Sequence, residues 1–134
     1  MAQTFQYAAK FLCTANIPGT TQTTSSLLPG VYQTVVNIHN PNKETARLRM
    51  KIAVAGGPIS GFRKSKLEPD EAAKVDCADI ANFKIQVIHG VEGFLVIESS
   101  LSLDVIAVYT AGKHGGGGEV ESIDVELVRE RQIA

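Results

Sequence analysis

Arg47, Arg49 and Lys51 stand at every second position of the run Ala46-Arg47-Leu48-Arg49-Met50-Lys51-Ile52. On a β-strand that spacing lays all three cations along one face, because successive side chains point to opposite sides. Such a stripe can hold an acidic protein partner, a phosphorylated tail, a nucleic acid or the acidic patch of a second copy, and it steers encounter with any of them. Arg63 and Lys64 widen the patch if their run forms the neighbouring strand. Residues 43–66 hold seven Lys and Arg against one acid, Glu44, whereas residues 68–126 hold twelve acids against three bases. The plain alternative is a solvated face paired within its own sheet, where exposed ion pairs contribute little to stability.

Other chemistry is harder to assemble. His39, His89 and His114 each lie in or beside a predicted turn, and no two have the i, i+4 spacing of a helical zinc site. A metal centre would need the fold to gather them with Asp76, Asp79 or Cys77, so no metal and no cofactor is expected. Ser60 lacks the flanking glycines of a nucleophile elbow. Asp124 and Glu126 share one face of a predicted strand, which is ordinary for a sheet surface; acid–base catalysis also needs a pocket and shifted pKa values. Gly115 to Gly118 lacks the Lys-Ser/Thr ending of a phosphate-binding loop and leads into no helix, so it reads as a hairpin tip. No catalytic residues are expected.

The whole chain sets the frame for these residues. It has 134 residues and a formal net charge of -1, with 44% hydrophobic residues. That composition excludes a disordered chain. The near-zero charge excludes a general nucleic-acid binder, which needs a basic excess to displace counterions. No apolar run approaches the roughly 20 residues that span a bilayer. Residues 1–10 show no charged start, apolar core and cleavage site of a secretory signal, and the apolar run before Phe11-Leu12-Cys13 is too short for a lipoprotein signal. The location is open: cytoplasmic by the absence of a signal peptide. Cys13 and Cys77 sit in apolar surroundings and read first as two buried thiols; the alternative is a disulfide between them, which would imply an extracellular location.

Clusters of Gly, Pro and Asn divide the chain every eight to fifteen residues, with period-two runs between them. Thr45 to Val54 is the clearest strand, with Ala46, Leu48, Met50, Ile52 and Val54 on its buried face. Val31 to His39 precedes it, and His39-Asn40-Pro41-Asn42-Lys43 reads as a turn joining the two as a hairpin. Gly61 to Leu67 is a basic strand. Ala72 to Cys77 alternates with Ala73, Val75 and Cys77 inward. Asp79 to Val87 is a helical turn or a connector. Glu92 to Glu98 and Leu103 to Tyr109 have unbroken apolar cores and read as strands buried on both faces. Val120 to Val128 alternates Ile123, Val125 and Leu127 with Asp124, Glu126 and Val128. With Thr4 to Thr14 there are about eight strands and no convincing amphipathic helix. The predicted fold is an all-β antiparallel sandwich, of jelly-roll or immunoglobulin-like connectivity. Residues 1–30 divide off as an N-terminal strand and a polar Thr/Ser linker, leaving 31–134 as the sandwich domain. A loop that long in a compact domain is usually functional or disordered, and the strand before it is placed to reach another subunit.

The order of elements in Thr34-Val35-Val36-Asn37-Ile38-His39-Asn40-Pro41, then Ala46 to Ile52, then Phe94-Leu95-Val96-Ile97-Glu98-Ser99-Ser100-Leu101-Ser102-Leu103 and on to Tyr109, resembles the small soluble sensory rhodopsin transducers. It is also similar to other small bacterial sandwich proteins. The likeness covers roughly residues 31–110 and is one of pattern. It implies a β-sandwich that forms a symmetric oligomer, binds partners and has no catalytic residues. The expected function is a non-enzymatic structural or assembly protein, a subunit of a homo-oligomer or filament, with N-terminal strand exchange as one route. The alternative is a partner- or anion-binding module built on Arg47, Arg49 and Lys51.

Overall fold

The computed structural model describes residues 2–16, 30–85, 90–113 and 120–133. The linker Thr20 to Ser26, His89, His114 and the glycine run Gly115 to Gly118 lie outside them. The described elements are β1 (Phe5–Asn16), β2 (Gly30–His39), β3 (Ala46–Val54), β4 (Arg63–Leu67), β5 (Ala72–Asp76), a 3-10 helix (Cys77–Phe83), β6 (Gly90–Ser99), β7 (Asp104–Gly112), β8 (Ser122–Leu127) and β9 (Glu130–Gln132). All strand pairings are antiparallel. They run β4-β3-β6-β1-β2-β7-β8, with β5 on β2 and β9 on β1. This gives an all-β sandwich with sheets of five and four strands.

The two sheets are joined through β1. It pairs with β6 from Phe5 to Thr14, with β9 at its start, and with β2 only at Thr14 to Asn16. Between those two neighbours, the hydroxyl of buried Thr34 fills the gap in the ladder. It accepts from the Leu12 N–H at 2.8 Å and donates to the Leu12 carbonyl at 3.0 Å. Leaving either backbone group unpaired in the interior would cost about 1–3 kcal/mol.

Period-two alternation aims Tyr7, Ala9 and Phe11 of β1, Leu48 and Ile52 of β3, Val91, Leu95 and Ile97 of β6, Val36 and Ile38 of β2, and Val105 and Ala107 of β7 into one core. Tyr7 keeps its polar end satisfied inside that core. Its hydroxyl donates to Glu130 at 2.6 Å and accepts from the Leu103 N–H at 2.7 Å. Burial and the Glu130 carboxylate push the phenol up to about 12, so it stays a donor.

Several expectations change. β2 and β3 do not form a hairpin: β2 pairs with β1, β5 and β7, and β3 with β4 and β6. The turn after His39 instead carries the chain from one sheet to the other, because buried Asn40 ties it to the β4–β5 turn. Its side-chain amide donates to the carbonyls of Glu44 (2.8 Å) and Leu67 (3.0 Å), and its oxygen accepts from Asn42. β6 and β7 are not buried on both faces along their length; of the outward residues of β6, only Glu98 is buried. Phe94 and Ile106 point outward and are exposed, since a two-layer fold has nothing to cover a second face. On β5, Val75 is buried while Ala73 is exposed at the margin of the core. The ambiguous segment after Cys77 is a 3-10 helix. Asp76 and Asp79 form its capping box, taking the N–H groups of Ala78 (3.0 Å) and Asp76 (2.8 Å). β9 is a strand the sequence reading did not find.

Cys13 and Cys77 are joined by a disulfide, with Cα atoms 5.6 Å apart. The reading as two buried thiols is therefore replaced by its alternative. Cys13 ends the inward-facing series of β1, and Cys77 opens the 3-10 helix, so the bond ties the sheet-crossing end of β1 to the β5 margin.

Candidate functional site

The basic stripe lies on the outer face of the five-stranded sheet. In β3, Leu48 and Ile52 are buried, which turns Arg47, Arg49 and Lys51 outward. Register then decides which other residues join them. Lys66 stands opposite Arg47 and Lys64 opposite Arg49, so β4 widens the patch. Arg63 stands opposite Met50, on the core-side face, and its guanidinium lies 5.6 Å from the centre of the Phe83 ring. The patch therefore keeps Lys64, gains Lys66 and loses Arg63, because adjacent residues of a strand face opposite ways.

One polar row crosses all five strands of this face. Lys64, Arg49, Glu98, Gln6 and Arg131 are successive cross-strand neighbours. Nε and Nη2 of Arg49 both donate to Glu98 Oε1, at 2.8 and 2.7 Å, and Gln6 donates to the other carboxylate oxygen at 2.9 Å. Arg131 donates to the Gln6 amide oxygen. Burial pushes the Glu98 carboxyl up, but the hydrogen bonds from Arg49 and Gln6 and the charges of Arg49 and Lys51 outweigh it. The net result holds Glu98 below its ordinary range and ionised. Phe62 supplies a second partner for the cations, with Arg49 4.1 Å and Lys51 4.7 Å from its ring centre. Lys10 sits over Phe94 and pairs with Glu92 at 3.0 Å. Glu98, Gln6, Phe62 and Arg131 were not singled out from the sequence. Only the register of strands far apart in the chain brings them to Arg49.

The cations are not all matched. Among the described residues, the side chains of Arg47 and Lys64 have no hydrogen-bond or ion-pair partner. Both line a cavity of about 340 Å3 with Gln3, Leu48, Arg49 and Ser65.

The acids disperse. Asp76 and Asp79 cap the 3-10 helix, Glu92 and Glu98 lie within the basic face, and Asp70 and Asp104 hold His39. Asp124 and Glu126 stand opposite Tyr109 and Ala107 on β7. Burial, then the charges of Glu126 and Asp124, push the Tyr109 phenol up to about 12. The other face of β8 is apolar: Ile123, Val125 and Leu127 are 65%, 62% and 75% exposed. They stand opposite Thr110, Val108 and Ile106, and β8 has only β7 as a strand partner among the described residues.

The imidazole of His39 is clamped, with Nδ1 2.8 Å from Asp104 and Nε2 2.8 Å from Asp70. Hydrogen bonds to Asp104 and then Asp70 raise its pKa above the ordinary 6.5. The folded state thus binds the proton more tightly than the unfolded one. This stabilisation is complete below about pH 6.5 and is lost as pH rises through the folded pKa. In low salt, the melting midpoint of the wild type should fall more steeply above pH 6.5 than that of His39→Gln. Parallel profiles would remove the His39 contacts with Asp70 and Asp104 from the stability balance. Among the described residues, no group of three or more His, Cys, Asp and Glu is placed to hold a metal ion, and no helix is long and apolar enough to cross a membrane.

No protein-family model matches the chain, and no curated protein matches it. Two solved structures are similar in fold. A crystal structure of Thermotoga maritima 1070 superposes with a TM-score of 0.61 at 9% identity, covering 96% of this chain and 96% of that one. The Anabaena sensory rhodopsin transducer superposes with a TM-score of 0.52 at 16% identity, covering 78% of this chain and 94% of that one. The resemblance to transducers read from residues 31–110 thus holds at the level of fold.

Proposed function

We propose that the chain is a non-enzymatic β-sandwich subunit of a homo-oligomer or filament, in which copies associate edge to edge through β8. The observation that carries this reading is the apolar stripe Ile123, Val125 and Leu127 on an edge strand. An exposed hydrophobic edge is a template for another strand, and proteins usually blunt such edges with charge, Pro or a bulge. Charge complementarity points to the occupant. Two β8 strands laid antiparallel about Val125 would place Asp124 of each beside Glu126 of the other. The β4 edge of a second copy fits better. In one antiparallel register Lys64 faces Glu126, Lys66 faces Asp124, and Leu67, Ser65 and the stem of Arg63 meet Ile123, Val125 and Leu127. This contact joins two different surfaces, so repetition closes a ring or extends a filament. Exchange of β1 would first open its ten residue pairs with β6; pairing through β8 needs no such opening.

Light scattering tests the reading. Wild type should exceed monomer mass at high concentration, Val125→Lys should be monomeric, and Glu126→Lys should dissociate most readily at low salt. A monomeric wild type, or a Val125→Lys variant of unchanged mass, would sink it. A second reading, a module that binds an acidic partner on the stripe, is favoured by the unpaired side chains of Arg47 and Lys64.

A further inference from the structure

We infer that Arg47 and Lys64 form a binding site for a phosphate-type oxyanion. The inference deepens the second reading above; association through β8 would engage the same Lys64, so the two compete for it. It begins from an electrostatic cost. The β3–β4 register sets Arg49 opposite Lys64 and Arg47 opposite Lys66, two like-charged pairs in succession. Like charges directly opposite on neighbouring strands destabilise a sheet. Part of that repulsion is relieved within the chain, since Glu98 takes Arg49 and Glu68 lies 3.4 Å from Lys66. Arg47 and Lys64 are left without a counter-charge among the described residues. They are diagonal neighbours on adjacent strands, a separation of roughly 7–8 Å that lets two long side chains converge on one small ion.

The space between them is suited to such an ion. The cavity of about 340 Å3 lined by Arg47, Lys64, Arg49, Gln3, Leu48 and Ser65 has room for a tetrahedral anion with several of its waters. Gln3 gives an independent sign of a missing partner: its amide oxygen is buried and makes no hydrogen bond. A half-turn of that amide exchanges the unpaired acceptor for two N–H donors at almost no change in shape. The site would then offer the guanidinium fork of Arg47, which matches two oxygens of a phosphate, the point charge of Lys64, and an amide donor. Glu98 is fully engaged by Arg49 and Gln6, so its charge is compensated within the row that borders the site.

Calorimetric titration of the full chain with inorganic phosphate, phosphoserine or polyglutamate, at constant ionic strength in chloride, tests the site. Wild type should bind phosphate saturably with one ion per chain. The Arg47→Gln variant should bind it at least ~10-fold more weakly, the loss expected for one charge-assisted hydrogen bond. An Arg47→Gln, Lys64→Gln double variant should show no titration while keeping its circular dichroism. Melting curves give a second readout. Phosphate stabilises folded proteins in general by exclusion from their surface, so the specific part is the extra rise in midpoint of wild type over the double variant. Tighter binding of phosphoserine would assign the site to a phosphorylated partner, and tighter binding of the inorganic ion to free phosphate; either sustains it. Equal binding by wild type and double variant, or no phosphate binding at all, overturns it. Binding of polyglutamate alone also overturns the oxyanion site while leaving the acidic-partner reading intact.

Discussion

Breaking the Cys13–Cys77 bond should lower the stability of the folded chain by roughly 4 kcal/mol, the chain-entropy value for a loop of this size. The two cysteines are 64 residues apart in sequence. Without the bond, the unfolded chain regains the freedom of that whole loop. The bond also sits where the sandwich changes sheets. There β1 meets β2 over only three residue pairs, and the Thr34 hydroxyl bridges the rest through Leu12. The sulfur of Cys77 lies 3.9 Å from the carbonyl oxygens of Leu12 and Thr34, so both strands at the crossing touch it. Urea unfolding with and without reductant measures the effect, and a Cys13→Ala, Cys77→Ala variant checks that the reductant acts nowhere else. The melting midpoint should fall by on the order of 10–20 °C. Equal midpoints, with both thiols shown free by mass spectrometry, would remove the bond from the list of what holds the two sheets together.

The parts of this fold legible in the sequence are those set by local alternation. β3 could be read residue by residue, because its inner face meets the core and its outer face meets water. The basic stripe followed from the same rule. Pairing was not legible, because it depends on residues far apart. Val31 to His39 and Thr45 to Val54 looked like a hairpin across a short turn. Buried Asn40, bonding to carbonyls at Glu44 and Leu67, instead sends the chain to the other sheet. The run Phe94 to Ile97 misled for a related reason. An unbroken apolar string suggests burial on both sides, yet Phe94 is exposed on a face where Lys10 covers part of its ring. Arg63 shows the limit within the site itself. Composition grouped it with Lys64, and a one-residue step in the strand put it over Phe83 on the opposite face.

The alternation of β8 is legible in the sequence, but which of its faces is buried is not. Ile123, Val125 and Leu127 share a face, as the pattern requires, but that face lies outside the core while Val128 is buried. Local sequence encodes which residues share a face. Which face meets the core is decided by the partner strand: Ile106 and Val108 already point outward on β7, and register binds β8 to the same choice. An apolar face turned to water by its neighbour's register is the feature on which the proposed association of copies through β8 rests.

Gly93→Ala should be among the most damaging single methyl additions to this chain, with a loss of at least about 3 kcal/mol or failure to fold. Gly93 lies in β6, between β1 and β3, facing Phe11 on one side and Val54 on the other. A Cβ there would stand 2.1 Å from the carbonyl oxygen of Ala53 and 3.0 Å from both the carbonyl carbon of Ala53 and the Cα of Val54. These are backbone atoms, which cannot swing aside as a side chain does. The strand needs glycine for this close approach and for no other reason, since Gly93 is not among the glycines with positive φ. Relief would require β3 to move away from β6. That movement would strain the ladder from Val54 back to Leu48, the same ladder that sets Arg49 beside Glu98. Gly61→Ala is the matched control, because nothing lies within 4 Å of a Cβ at that position. Urea midpoints should place Gly61→Ala within about 0.5 kcal/mol of wild type. A soluble Gly93→Ala variant within about 1 kcal/mol of wild type would show that β3 and β6 can separate at this point without loss.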